Sequence, residues 1–114
     1  MTEYWTRTDL QKLPEVKRPG DLLFYADSDA NRIGVHVSDG GIPVTLTGSI
    51  RAWIILPDGT TIQEDGEKDG NRAWVDLPDE AYVAQGPIGI YLKHINGTKI
   101  ATLGGVEGYV YRRT

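Results

Sequence analysis

The stretch SIRAWIILPDGTTIQE, residues 49–64, contains the local pattern that decides the fold class. Two runs of apolar and β-branched residues flank LPDGT at residues 56–60. Proline presets φ for a type I turn, and glycine supplies the left-handed residue of the bulge that follows. The resulting three-residue loop pairs Ile54 with Ile62, so the sequence predicts a β-hairpin. One face of that hairpin carries the apolar residues Ile50, Ala52, Ile54, Leu56 and Ile62.

A second hairpin is predicted around the Asn-Gly pair at residues 96–97. An Asn-Gly pair is a strong hairpin signal, because a type I′ turn needs a positive φ at both central residues. A two-residue loop at this point pairs Ile95 with Thr98 and Leu92 with Ala101. The predicted core face of this hairpin consists of Ile88, Ile90, Leu92, Ala101 and Leu103.

Turn signals recur along all 114 residues, which is the length of a single domain. Short β-rich runs between frequent turns are typical of a β-sandwich or a barrel. The predicted strands are residues 21–26, 32–38, 43–47, 49–57, 60–64, 71–77, 87–95, 98–104 and 106–112. A single helical turn is predicted at Asp79–Tyr82, where acidic residues suit a helix N-terminus.

The composition excludes several classes of protein. The chain has no cysteine, which rules out disulfides, thiolate metal sites and thiol catalysis. A net charge of −4 argues against nucleic-acid binding, because such proteins usually carry a basic face. No apolar stretch approaches the length of a membrane span, and no signal peptide is recognised at the start.

Four large apolar residues have no evident place in the predicted core. Trp53 and Ile55 alternate with the core residues of their strand and therefore point to its outer face. Tyr4 and Trp5 lie near the start of the chain, ahead of the predicted strands. We expect the N-terminal segment or another subunit to cover the outer face, and the N-terminal segment is itself a candidate assembly arm.

The order of these motifs resembles a known family. The segment NRIGVHVSDGGIPVTLTGSIRAWIILPDGTT, residues 31–61, has a strand, an S/T-D-x-G turn, P-V-x-L-T-G and an apolar strand ending in P-D-G-T. The segments DGGIPVTLTG, residues 39–48, and PDGT, residues 57–60, carry most of the likeness. Together they resemble the N-terminal domain of phage baseplate upper proteins, and the likeness extends over roughly residues 20–112.

The resemblance implies an immunoglobulin-like sandwich of about 7–9 antiparallel strands over residues 20–114, with an N-terminal extension at residues 1–19. It also implies a structural virion protein of a phage or prophage tail baseplate, made in the cytoplasm of the bacterial host. Its expected partners are other tail or baseplate proteins, which it docks by protein–protein contacts. Phage tails have three- and six-fold symmetry, so a homo-oligomer is expected to be a trimer or hexamer rather than a dimer.

The polar residues suggest no enzyme. His36 alternates outward on a strand, and His94 lies near a turn, without a recognisable catalytic arrangement. Residues 27–31, DSDAN, match the first ligand positions of a calcium loop but lack its glycine and its final glutamate. Residues 65–70 and the glycosylation-like Asn96-Gly97-Thr98 are interpreted as hairpin tips. No catalytic residue, metal or cofactor is therefore expected.

The aromatic residues leave two functions open. Trp and Tyr side chains serve as anchors of protein–protein interfaces, and they also form stacking platforms in small carbohydrate-binding or adhesin modules. A glycan site needs coplanar rings in a groove, whereas an assembly surface needs apolar residues on an outer face, an edge or an arm. The candidate interface residues are Tyr4, Trp5, Trp53, Ile55, Tyr91, Tyr109 and Tyr111. In the carbohydrate-binding alternative, the stacking platform consists of Trp53, Trp74, Tyr91, Tyr109 and Tyr111.

Overall fold

A computed structural model describes residues 2–18, 22–25 and 31–112 of the chain. These residues form eleven strands and one short 3-10 helix. The strands are β1 (Thr2–Asp9), β2 (Val16–Lys17), β3 (Leu23–Tyr25), β4 (Asn31–Asp39), β5 (Ile42–Pro43), β6 (Ser49–Ile55), β7 (Thr61–Asp65), β8 (Glu67–Asp69), β9 (Arg72–Asp76), β10 (Gly86–Asn96) and β11 (Lys99–Tyr111). The 3-10 helix spans Asp79–Tyr82 and confirms the predicted helical turn.

The strands form two sheets, which confirms the predicted β-sandwich. The first sheet has the order β1-β4-β9-β8, with β5 also paired to β4. The second has the order β2-β11-β10-β6-β7, with β3 also paired to β11. The prediction of antiparallel strands alone was wrong, because β1 runs parallel to β4, and β2 and β3 run parallel to β11.

The core lies between the sheets and follows the period-two alternation of each strand. β4 buries Asn31, Ile33, Val35 and Val37, whereas Arg32, His36 and Ser38 alternate with them and face outward. From the second sheet, β6 and β10 bury their inward residues in the same way. The fully buried large side chains include Phe24, Ile54, Ile90, Leu103 and Val110.

The hairpin of β6 and β7 confirms the predicted turn and register. Ile54 pairs with Ile62, and Leu56 N donates to the Thr60 carbonyl at 2.8 Å. Gly59 has a φ of +89°, the left-handed conformation that its bulge position requires. Ile54 is fully buried and Ile62 half-buried against the core, whereas Ile55 faces outward and is 39% exposed.

The hairpin of β10 and β11 differs from its predicted register. Ile95 pairs with Ile100, and Leu92 pairs with Gly104 instead of Ala101, which is exposed. The turn is displaced by one residue because Gly97, with a φ of +64°, takes its first central position. Glycine in that position with a negative φ after it is the type II′ arrangement, so Asn96 stays in the strand.

A bulge in β11 explains the remaining offset. The pairing shifts between Leu92 and Lys93, which leaves Leu103 as the extra residue. Leu103 is buried in the core, as predicted. The bulge also lets β11 continue from Lys99 to Tyr111 as one strand, where the sequence predicted two.

The first nineteen residues, assigned from the sequence to an extension, contribute two strands. β1 is an edge strand of the first sheet, and β2 pairs with β11 in the second. The predicted strand at 43–47 is reduced to Ile42–Pro43, and the predicted hairpin tip at 65–70 contains the strand β8. Both short strands lie at sheet edges.

A buried asparagine connects the N-terminal strand to the rest of the sandwich. Asn31 is fully buried, and its Nδ2 donates to the Tyr82 hydroxyl at 2.6 Å and to the Tyr25 carbonyl at 3.2 Å. Its Oδ1 accepts from Thr2 N at 3.2 Å. Burial raises the pKa of the Tyr82 hydroxyl, so this phenol remains protonated at neutral pH.

Candidate interface surfaces

The outer face of the second sheet gathers five of the seven candidate interface residues. Outward-facing positions alternate along β6, β10 and β11, so the side chains of these strands share one surface. We call this surface the outer face of the second sheet, and its aromatic and aliphatic members are Trp53, Ile55, Tyr91, Tyr109 and Tyr111.

Trp53 and Tyr91 form the centre of this face. They are direct cross-strand neighbours on β6 and β10. The Lys93 ammonium lies 5.5 Å from the centre of the Trp53 ring, within cation–π distance. The Tyr91 ring lies over Gly105, where a Cβ would come within 2.6 Å of it. Gly105 therefore makes room for a tyrosine that lies along the sheet rather than projecting from it.

A shallow depression of about 370 Å³ adjoins Tyr91. Its lining includes Ile55, Pro57, Pro87, Gly89 and Glu107. Apart from the Glu107 carboxylate, the side chains of these residues are apolar. This shape can accept an apolar side chain of a partner at the sheet surface.

Tyr109 and Tyr111 extend the same face toward β3. Their exposed fractions are 39% and 42%. The Tyr111 ring makes an edge contact with Tyr25 at 5.9 Å between centroids, and Gln85 Nε2 donates to the Tyr109 hydroxyl at 3.4 Å. Leu23, 37% exposed, pairs with Tyr109 across the strands. The apolar surface therefore continues from β6 to the opposite edge of the sheet.

Tyr4 and Trp5 lie in the other sheet. Tyr4 packs against the core, and Trp5 lies on the outer face of the first sheet. The Trp5 ring is 5.2 Å from His36 and 6.2 Å from Trp74, measured between centroids. We had expected the N-terminal segment or another subunit to cover Trp53 and Ile55. The N-terminal strand does not cover them.

The side chains on the outer face of the first sheet contact one another. The guanidinium groups of Arg32 and Arg72 lie 5.3 Å and 5.8 Å from the centre of the Trp74 ring. Arg32 also pairs with Asp76, with 2.7 Å between Nε and Oδ1, and this carboxylate raises the pKa of the guanidinium. Trp5 and Trp74 are tilted by 54° relative to each other. These rings do not form a coplanar stacking platform.

The two histidines make structural contacts. The His36 ring contacts the Trp5 ring at a tilt of 42°, and the cross-strand neighbours of His36 are Arg7 and Arg72. His94 Nε2 lies at hydrogen-bond distance from the Thr47 carbonyl. Among residues 2–18, 22–25 and 31–112, no group of three or more His, Cys, Asp and Glu residues is placed to hold a metal ion. Four residues of the candidate calcium loop, 27–30, lie outside the described residues.

The Asp9 carboxylate, which was not a candidate from the sequence, accepts four hydrogen bonds. Asp9 Oδ2 accepts from Gly41 N at 2.8 Å and Ser38 Oγ at 3.0 Å, and Oδ1 accepts from Gln11 N at 2.9 Å and Gly40 N at 3.1 Å. The bonds from the backbone of Gln11, Gly41 and Gly40 lower the pKa of Asp9 to about 2. Successive backbone N–H groups in a turn can bind an anion together, and the Gly40-Gly41 turn was the available signal in the sequence.

In the described part of the chain, no helix has the length and apolar character needed to cross a membrane.

Comparison with known proteins shows a similarity in fold but none in sequence family. No protein-family model matches the chain, and no curated protein matches its sequence. Among solved structures, the N-terminal domain of ORF48 of phage TP901-1 is similar, with a TM-score of 0.57 and 11% sequence identity. The alignment covers 100% of this chain and 100% of that domain. The chain therefore has the fold of this phage protein domain over its whole length.

Proposed function

We propose that the protein is a structural virion component of a phage or prophage tail, positioned in the baseplate and acting through protein–protein contacts. The observation that carries this proposal is the exposed apolar outer face of the second sheet. It belongs to a sandwich that shares its fold, over the full length, with a domain of a phage protein. The motif order of residues 31–61 supports the same assignment.

The proposed partners are other tail or baseplate proteins, which the domain docks onto the tail. Trp53 and Tyr91 are the residue types that most often anchor such interfaces, and the depression beside Tyr91 accepts a partner's side chain. The role needs no enzymatic activity and no cofactor. Self-association into a trimer or hexamer fits the symmetry of a tail, and the virion is the proposed location.

The carbohydrate-binding alternative is less well supported by the geometry. A sugar ring stacks on an open aromatic face, but Lys93 lies over Trp53, and two arginines lie over Trp74. Trp5 and Trp74 are tilted rather than coplanar. Exposed apolar surface spread across a sheet is more typical of a protein contact.

Co-expression with phage tail and baseplate proteins, chosen from the genes that neighbour this one, tests the proposal. The tagged wild-type protein should purify together with one or more tail proteins. Ile55→Glu places a charge on the outer face and should abolish this co-purification. Ile42→Glu is the matched control, because Ile42 is 70% exposed and lies at the β4–β5 turn of the other sheet.

Circular dichroism must show that both variants keep the β-sheet spectrum of the wild type. Failure of the wild type to bind any tail protein would contradict the proposed role. Equal binding by Ile55→Glu and Ile42→Glu would contradict the use of this face. Saturable binding of the wild type to immobilised glycans, lost in Trp53→Ala, would favour the alternative.

A further inference from the structure

We propose that β1 exchanges between copies of this chain: the N-terminal strand of one copy leaves its own sandwich and pairs with β4 of a second copy. The inference concerns the chain itself and does not depend on a role in a phage tail. It rests on how β1 is attached, on the segment that follows it, and on the slot that receives it.

β1 is attached to the sandwich along one side. All eight of its residues pair with β4, from Thr2 beside Asn31 to Asp9 beside Ser38. Among the described residues, β1 is the outermost strand of the first sheet and has β4 as its only strand neighbour there. The strand can therefore leave without dividing the sheet, and the edge that it exposes is the edge of β4.

Trp5 on β1 and Gly34 on β4 form the centre of the surface that receives β1. A Cβ on Gly34 would lie 2.4 Å from the Trp5 ring, so the ring fills the space that this missing side chain leaves. His36 and Trp74 complete the contacts of the ring. All three receiving residues belong to β4 and β9, which any second copy also provides.

The end of β1 is held by polar contacts with the turn after β4. The Asp9 carboxylate accepts hydrogen bonds from Gly40 N and Gly41 N, and Gln11 Nε2 donates to Asp39 Oδ1 at 3.0 Å. Residues 2–11 thus form one attachment unit directed at β4 and its turn. The same contacts form when the unit comes from another copy.

A short connector follows this unit. The next attachment is to the other sheet, where the Glu15 carbonyl accepts from Gly105 N at 3.1 Å. Only Lys12, Leu13 and Pro14 lie between, and Leu13 is 89% exposed. Proline fixes its own φ and restricts the residue before it to extended conformations. A short connector between an edge strand and its domain favours domain swapping.

A second copy is the occupant that the chain itself specifies. Exchange recreates every contact of β1, so the two states differ in the connector and in the entropy of association. Leu13 in the connector is 89% exposed, so the chain around it is not held by packing in either state. Donation from each copy to the next closes a ring, and mutual donation closes a dimer.

Two connector variants shift the equilibrium in opposite directions. Deleting Lys12 and Leu13 leaves too little chain to return to the same sandwich, so the protein should become oligomeric at lower concentration. Inserting Gly-Ser-Gly-Ser between Leu13 and Pro14 relaxes the return path and should shift the protein toward monomer. Light scattering after gel filtration measures both, with the wild type between them.

Disulfide trapping identifies the exchanged strand, because the natural chain has no cysteine. Arg7 on β1 lies beside His36 on β4, and adjacent strands are close enough for a disulfide. After mixing and oxidation of Arg7→Cys and His36→Cys proteins, a bond should join position 7 of one copy to position 36 of another. Arg7→Cys mixed with Thr61→Cys is the control, because Thr61 lies on β7 in the other sheet.

The proposal would be overturned by a wild type and a deletion variant that both stay monomeric at the highest attainable concentration. It would also be overturned by oligomers that form equally in both connector variants, since that result indicates association through another face. A disulfide from position 36 to a co-expressed tail protein, in place of a second copy, would contradict the choice of occupant.

Discussion

Replacing Gly34 with alanine tests the contact between the Trp5 ring of β1 and Gly34 of β4. The added Cβ would lie 2.4 Å from the Trp5 ring, well inside the distance of any real carbon–carbon contact. The ring must therefore move off β4 and lose part of its contact with His36 and Trp74. A packed tryptophan buries about 150 Å², which at about 25 cal/mol per Å² corresponds to about 4 kcal/mol. Partial displacement of the ring should reduce the free energy of unfolding by about 2 kcal/mol.

The same substitution in a Trp5→Ala background provides the control. With the ring absent, the three atoms nearest to the added Cβ are removed, and alanine at position 34 should change the unfolding free energy by less than about 0.5 kcal/mol. Urea denaturation followed by circular dichroism at one low protein concentration measures all four members of the cycle. Equal costs of Gly34→Ala in the two backgrounds would refute the reasoning, because the penalty would then come from the backbone of β4.

Three further outcomes are expected. Leu92→Ala should reduce the unfolding free energy by about 2–5 kcal/mol because Leu92 is buried, whereas Val83→Ala, at a 71% exposed position, should change it by less than about 0.5 kcal/mol; a loss below about 1 kcal/mol for Leu92→Ala would place that strand outside the core. The pKa of Asp9 is lowered from 3.8 to about 2, so its charged form stabilises the fold above pH 3.8 and that contribution is lost as the pH falls through 2. The stability difference between the wild type and Asp9→Asn should therefore shrink across this acid range in urea titrations, and a constant difference would contradict the assignment. Calorimetric titration with calcium should give no saturable heat, and a heat that disappears in Asp29→Ala would contradict our expectation that residues 27–31 bind no metal.

The two hairpins show which part of the fold is readable from sequence. At LPDGT, residues 56–60, proline fixes one turn position and glycine another, so only one loop length keeps Ile54 and Ile62 on the same face. At Asn96-Gly97 the turn chemistry permits two placements, and the apolar pattern near the tip does not choose between them. The tip reaches beyond the packed core, where Ala101 and Ile100 are exposed, so burial imposes no register there.

The N-terminal strand was not predicted, for a physical reason. Outside Tyr4 and Trp5, β1 consists mainly of threonine and charged residues, because an edge strand has one partner and is exposed along the other side. Its position beside β4 depends on Gly34, Asn31 and the Gly40-Gly41 turn, which lie far along the sequence. Contacts between residues so far apart in the sequence leave no local pattern. The parallel pairing of β1 at the sheet edge can therefore be identified only in the structure.

The candidate interface was more predictable, because outward-facing positions follow from strand alternation alone. The sequence placed Trp53 and Ile55 opposite the core, and the structure finds them there. What alternation does not supply is the relation between strands: the pairing of Trp53 with Tyr91, and the glycines beneath Tyr91 that flatten the surface. Those features decide that five candidates form one face and that Tyr4 and Trp5 belong to another.

The separation of the two surfaces bears on how such a domain works in an assembly. A component that links copies of itself and also holds a different protein needs two contact regions that do not overlap. The proposed strand exchange involves the edge of β4 and the first sheet, where Trp5 lies over Gly34. The proposed docking surface is on the second sheet, where Ile55 is 39% and Tyr111 is 42% exposed. Because the core separates these sheets, a β1 donated by a second copy leaves the docking face open. Ile55→Glu should therefore abolish binding of tail proteins without changing the oligomeric state, and deletion of Lys12 and Leu13 should change the oligomeric state without abolishing that binding.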